Sequence, residues 1–176
     1  MKKIIPSLII LGLWIGIGNL YAETQHPIEY GIGVQFNYGT ITGFFGNDLS
    51  IKLPNIPIFW TVGSFLDYRI NTVRLAGDWY YLDKKIVGPL GWYLGVGLCL
   101  NFDFGENYFG LWPVLRIPIG LSVWTAPKME IFLQAVPNIV VNLIPYVSKS
   151  YNGIYAPIYG IDANLGIRFW ITNNQA

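Results

Sequence analysis

Between Ile28 and Gly39 the chain alternates with period two. Ile28, Tyr30, Ile32, Val34, Phe36 and Tyr38 fall on one parity, and Glu29, Gly31, Gly33, Gln35, Asn37 and Gly39 on the other. Successive strand side chains point to opposite faces, so this stretch predicts a strand with one apolar and one polar or small face. The pattern returns over 92–103, where Trp92, Leu94, Val96, Leu98, Leu100 and Phe102 alternate with Tyr93, Gly95, Gly97, Cys99, Asn101 and Asp103. It returns again over 116–123 and 160–171. Pro-, Gly- and Asn-bearing segments at 53–57, 87–89 and 125–128 read as turns, and 103–107 and 142–157 as loops. Together they predict eight strands, near 28–39, 43–53, 57–67, 71–82, 91–103, 109–124, 129–140 and 158–171.

A soluble sandwich also alternates, with its apolar face inward. Here the opposite face holds many glycines and little of the Lys/Glu load that water-facing strands carry, which fits small and polar residues filling a narrow interior. Charged residues make up 12% of the chain, about half the usual share, and mean hydropathy is +0.42. Such a chain has lipid as part of its solvent. The fold class expected is all-β, an eight-stranded antiparallel up-and-down transmembrane barrel, each strand near the length a tilted bilayer crossing needs.

Two alternatives stay open. A polytopic helical protein could use the uncharged segments 131–148 and 86–102, but Pro137, Pro145, Gly88, Pro89, Gly91, Gly95 and Gly97 interrupt them. A soluble calycin-like carrier would need a hydrophilic exterior.

The start of the chain reads as an export signal over residues 1–22. Lys2 and Lys3 precede an apolar run from Ile4 to Leu13, and Ala22-Glu23 is the expected cleavage junction, although Leu20 is large for its position. Residues 23–176 then form one barrel domain. Removing Lys2 and Lys3 takes the 11 basic residues to nine against 10 acidic ones, a net charge of about −1. Nothing in that balance provides a footprint for nucleic acid.

With the turns at 53–57, 83–90 and 124–129 on the periplasmic side, Tyr30, Trp79, Tyr81, Trp92, Trp124 and Phe169 gather near one end of the strands, as an interfacial girdle would. The competing reading is that they are core aromatics. By parity, Glu29, Lys52, Arg74, Asp78, Arg116, Glu130, Asp162 and Arg168 face inward. Four acids and four bases in a narrow lumen predict an interlocked ion-pair core; the sharper alternative is a gated pore lined by the same groups.

Enzyme chemistry finds little to work with. His26 is the single histidine and precedes the first strand, Cys99 is the single cysteine, and no spacing suggests a metal or cofactor site. Gly31-x-Gly33 and Gly95-x-Gly97 lack the third glycine of a phosphate loop and read as lumen positions without room for a side chain.

The last strand carries a resemblance. Asn164, Gly166, Phe169 and Ile171 are spaced as in the terminal β-signal of outer-membrane barrels, with Thr172 to Ala176 following. That resemblance implies delivery to the barrel-assembly machinery and residence among outer-membrane lipid. More broadly, Tyr30-Gly31-Ile32-Gly33, Gly91 to Gly97, Arg116 to Leu121, Glu130 to Leu133 and Gly166-Ile167-Arg168 arrive in the order found in a family of small uncharacterised spirochaete barrels, which the chain resembles. The resemblance implies a fold like the OmpA and OmpX membrane domains. Two roles are expected. One is structural or surface-interacting, with Lys149, Tyr151, Asn152 and Tyr155 of the longest loop meeting a host surface or serum protein. The other is an OmpW-like passage for small or hydrophobic molecules.

Overall fold

The computed structural model describes residues 26–27, 29–39, 45–66, 71–105, 108–140 and 158–171. The proposed signal junction at Ala22 and Glu23 and the loop residues Lys149, Tyr151, Asn152 and Tyr155 lie outside them. Every regular element among the described residues is a strand: β1 (Tyr30–Gly39), β2 (Phe45–Lys52), β3 (Ile58–Leu66), β4 (Asn71–Val87), β5 (Leu90–Gly105), β6 (Tyr108–Arg116), β7 (Ile119–Ala126), β8 (Met129–Val140) and β9 (Ile158–Ile171).

β6 and β7 are two halves of one crossing. Both pair with β5 on one side and β8 on the other in a single continuous register. Their interruption falls at Ile117-Pro118, because Pro118 has no N–H to give to the ladder. Hydrogen bonds bridge the gap: Gly95 N donates to Pro118 O at 2.8 Å, and Ile117 N to Pro137 O at 2.9 Å. Eight crossings result, as the alternation predicts.

The sheet closes. Each crossing pairs antiparallel with the next, and β9 returns to β1 with Tyr30 opposite Ile171. Followed once around through hydrogen-bonded neighbours, the register leaves β8 at Met129 and returns to it at Ile139, a stagger of ten residues. Eight strands with that stagger tilt by roughly 40° and enclose a backbone cylinder of roughly 8 Å radius. Closure leaves no sheet edge, which a bilayer would not tolerate.

Burial is inverted relative to a water-soluble protein. On β1, Val34 is 54% and Phe36 63% exposed, while their neighbour Gln35 is 1% exposed. The same division holds on β9, where Leu165 and Phe169 face out and Asn164 and Arg168 are buried. Apolar side chains outside and polar ones inside leave no hydrophilic exterior, so the soluble-carrier alternative fails with the helical one.

The turns joining β2 to β3, β4 to β5 and β7 to β8 lie at one end, which we term the turn end, together with the start of β1 and the finish of β9. The segment expected to be a turn over 83–90 is much tighter. β4 runs on to Val87, and Gly88-Pro89 alone turn the chain, with Gly88 at φ +54° as the first residue of a two-residue hairpin loop requires. At 53–57, Pro54 is followed by Asn55 at φ +60°, a residue type that accepts this conformation. Lys52 reinforces that turn by donating from Nζ to the Leu53 and Ile56 carbonyls at 2.8 and 2.6 Å.

Candidate functional site

The chemistry of this chain is concentrated in the lumen, and its width dictates how. A cylinder this narrow cannot accept a long side chain at every inward position, so large residues must lie across their neighbours. Glycine makes the room. Asp48, Gly63 and Arg74 are consecutive register partners across β2, β3 and β4, and the Asp48 carboxylate reaches over Gly63 to pair with the Arg74 guanidinium. Asp78, Gly97 and Arg116 repeat the row across β4, β5 and β6, with Asp78 Oδ2 3.2 Å from Arg116 Nη2. Ser50, Gly33 and Arg168 form a third such row, where Arg168 Nη2 donates to Ser50 Oγ at 3.1 Å. Tyr93, Gly120 and Gln134 form a fourth, closed by a 3.1 Å hydrogen bond from the Tyr93 hydroxyl to Gln134 Oε1.

Of the eight inward charges expected from parity, Arg74, Asp78, Arg116, Glu130 and Arg168 are buried and ion-paired, and half-buried Asp162 lies 3.7 Å from Arg74. Lys52 is buried but spends its ammonium on turn carbonyls. Glu29 sits half-buried just ahead of β1, apart from these pairs. Asp48 also belongs to this network, absent from the sequence expectation although it shares the even parity of Lys52 on the same strand.

The turn end holds the densest cluster, and its centre is His26. This residue precedes β1 and is 6% exposed. Its Nε2 lies 2.7 Å from Glu130 Oε1, its Nδ1 2.8 Å from Asp83 Oδ1, and its backbone N–H donates to Asp83 Oδ2 at 2.9 Å. A carboxylate beside each ring nitrogen favours a proton on both, the imidazolium form. Glu130 Oε2 also accepts from Arg168 Nη1 at 2.9 Å and from Trp170 Nε1 at 3.0 Å.

Aromatic rings wall this cluster. Phe59, Tyr80, Tyr93, Trp124 and Trp170 all have centroids between 5.1 and 6.5 Å from the His26 ring. Phe59, Tyr80 and Tyr93 stack face to face at 4.2 and 4.3 Å. The Arg168 guanidinium lies 4.6 Å from both the Phe59 and Phe132 ring centres. Trp124 is thus a lumen residue, opposite Glu130 in register and stacked on Trp170 at 5.8 Å. This corrects its expected place in the outer girdle: the even parity it shares with Gly120 and Ser122 turns it inward. Tyr30, Trp79, Tyr81 and Phe169 do face outward.

Asp83 reaches the lumen through a β-bulge. Tyr80 pairs with Gly95 and Leu82 with Leu94, so the ladder skips Tyr81. The skip reverses the parity of the rest of β4, setting Asp83 opposite inward-facing Tyr93. A regular strand with Asp78 inward would have pointed Asp83 at lipid.

The β-signal residues divide by face: Asn164 and Gly166 are in the lumen wall, Phe169 and Ile171 on the exterior.

No family model matches the sequence, and no curated protein matches it. Among solved structures, the chain is similar to Neisserial surface protein A (NspA), with a TM-score of 0.52 and 15% identity over 82% of this chain and 98% of that one. It is also similar to a de novo designed transmembrane β-barrel, with a TM-score of 0.50 and 14% identity over 85% of this chain and all of the other. At such identities the likeness concerns the fold, a small transmembrane β-barrel.

Rows packed this tightly have no room for a methyl group. Replacing Gly97 with alanine places one against the Asp78 carboxylate and the Gly77 carbonyl; the variant should lose about 1–3 kcal/mol of stability, read from the denaturant midpoint of the folded band on heat-modifiable gels. For His26, burial opposes the charge, but Glu130 and Asp83 outweigh it and raise the pKa from 6.5 to about 9. The stabilisation is therefore complete below pH 6.5 and lost as pH rises through about 9. Unfolding midpoints should fall across that window in the wild type, and His26→Ala should flatten that part of the profile.

Proposed function

We propose that the chain is an integral outer-membrane barrel whose filled lumen makes it a scaffold, with its role carried by the loops at the end opposite the turns. The observation that carries this reading is the set of side-chain contacts laid across the lumen at several levels. Three crosswise rows of side chains, Asp48 to Arg74, Asp78 to Arg116 and Ser50 to Arg168, occupy successive levels, and the His26 cluster lies beyond them at the turn end. Breaking one buried ion pair by removing a partner costs roughly 3–5 kcal/mol, so a continuous passage would need several such losses at once. This counts against the OmpW-like passage.

The outer membrane as the location draws on the β-signal resemblance and on the export signal ending at Ala22. Delivery would run through the barrel-assembly machinery, with Asn164, Gly166, Phe169 and Ile171 as the recognised strand. The ordered blocks shared with small spirochaete barrels support the same placement. A host surface or serum protein is the partner class for Lys149, Tyr151, Asn152 and Tyr155.

Single-channel recording in planar bilayers tests the closed lumen. The expected trace is silent, and discrete openings of the wild-type protein would overturn the scaffold reading. For the surface role, Lys149→Ala with Tyr151→Ala should weaken adhesion of expressing cells to serum-coated surfaces several-fold while heat-modifiable mobility is unchanged. Undiminished adhesion would remove that loop from the proposal.

A further inference from the structure

The turn-end cluster is built to hold cations, and it already holds two. Arg168 and His26 lie among six aromatic rings, Phe59, Tyr80, Tyr93, Trp124, Phe132 and Trp170. Ring faces attract cations electrostatically, and more strongly where water is excluded. The acids present are Glu130 and Asp83. With His26 in place, two carboxylates face two cations. Without it, Glu130 keeps Arg168 while Asp83 loses the imidazolium, and a buried carboxylate lacking its partner is strongly unfavourable. Lys52 is the other nearby cation, with Nζ 5.6 Å from the Phe59 ring centre, but two turn carbonyls hold it.

The two cations differ in how they are attached. Arg168 belongs to β9, within the closed sheet, whereas His26 is carried by no strand. We infer that the turn end of the lumen is a binding site for a flat organic cation, which the chain keeps occupied with its own His26. Imidazolium and guanidinium compounds are the ligand class. Glu130 hydrogen-bonds with Nε2 at 2.7 Å and the Asp83 carboxylate lies 2.8 Å from Nδ1, so an occupant with an N–H on each side suits the site. A quaternary ammonium has the charge but no such donors. A tethered His26 competes at an effective concentration of roughly millimolar, so a free ligand enters well only once His26 is displaced or removed.

The test uses the full chain folded in detergent, as wild type, His26→Gly, and His26→Gly with Glu130→Gln. Trp124 and Trp170 report binding by fluorescence. Imidazole and pyrazole are titrated at about pH 6, where imidazole is cationic and pyrazole, of nearly equal shape, is neutral. His26→Gly should bind imidazolium at least about tenfold more tightly than pyrazole, and about tenfold more tightly than the wild type does. The double variant, which keeps Asp83 but lacks the Glu130 carboxylate, should show a smaller preference for charge than His26→Gly. Equal binding of the two probes by His26→Gly, or equal binding of imidazolium by His26→Gly and wild type, would overturn the inference. Should His26→Gly refold poorly, the folded fraction on heat-modifiable gels becomes the readout. Imidazolium should then raise it where pyrazole does not, and absence of rescue by imidazolium would equally overturn the inference.

Discussion

The width of the lumen governs most of what is seen in this protein. Eight strands and a stagger of ten residues fix a cylinder of roughly 8 Å radius, and lipid outside requires the polar side chains to go inside. An arginine cannot stand upright in that space beside a full neighbour. It can lie across a strand if the residue there has no side chain. This is why inward glycines sit between partners: Gly63 between Asp48 and Arg74, Gly97 between Asp78 and Arg116, Gly33 between Ser50 and Arg168. The ion pairs and the glycines are one design, since either without the other would leave clashes or buried unpaired charge.

That rule also bounds how much of the barrel is legible in its sequence. Period-two alternation survives in every strand facing lipid on one side and lumen on the other, so β1, β5 and β9 can be read directly. Parity carries Arg74, Asp78, Arg116, Glu130 and Arg168 to the lumen with no further information. Asp48 is equally legible, two turns of the pleat from Lys52, and no physical obstacle hides it. Asp83 is not. The bulge at Tyr81 reverses its face, and an aromatic-rich stretch such as Trp79-Tyr80-Tyr81-Leu82 has no local mark of which residue the ladder will skip. Trp124 invites an interfacial reading by its nearness to a strand end, but its parity is the better guide and places it in the lumen.

His26 lies beyond such reasoning for a different cause. It precedes β1, where alternation has not begun, so nothing periodic assigns it a face. Its position depends on three contacts distant in sequence: Asp83 on β4, Glu130 on β8 and the aromatic wall from β3, β4, β5, β7 and β9. A lone histidine outside a strand usually signals nothing. Here the surplus of carboxylate at the turn end gives it a place, and that surplus arises only because the bulge adds Asp83 to the lumen.

The two ends of the charge network consequently differ in kind. Asp48, Arg74, Asp78, Arg116 and Asp162 are all held by strands of a closed sheet, whose hydrogen bonds must break before any of them can move far. At the turn end, one member of the network, His26, belongs to no strand. Electrostatic balance there rests on a residue that precedes β1, whereas balance higher in the barrel rests on residues of the strands. Removing His26 would take a charge out of the lumen without breaking any strand pairing, at the cost of its two carboxylate contacts. Because removing that charge leaves Asp83 without its imidazolium and Glu130 with Arg168 alone, a lumen lacking it is unstable unless another cation enters. The same interaction that closes the turn end thus also sets the chemistry of anything able to open it.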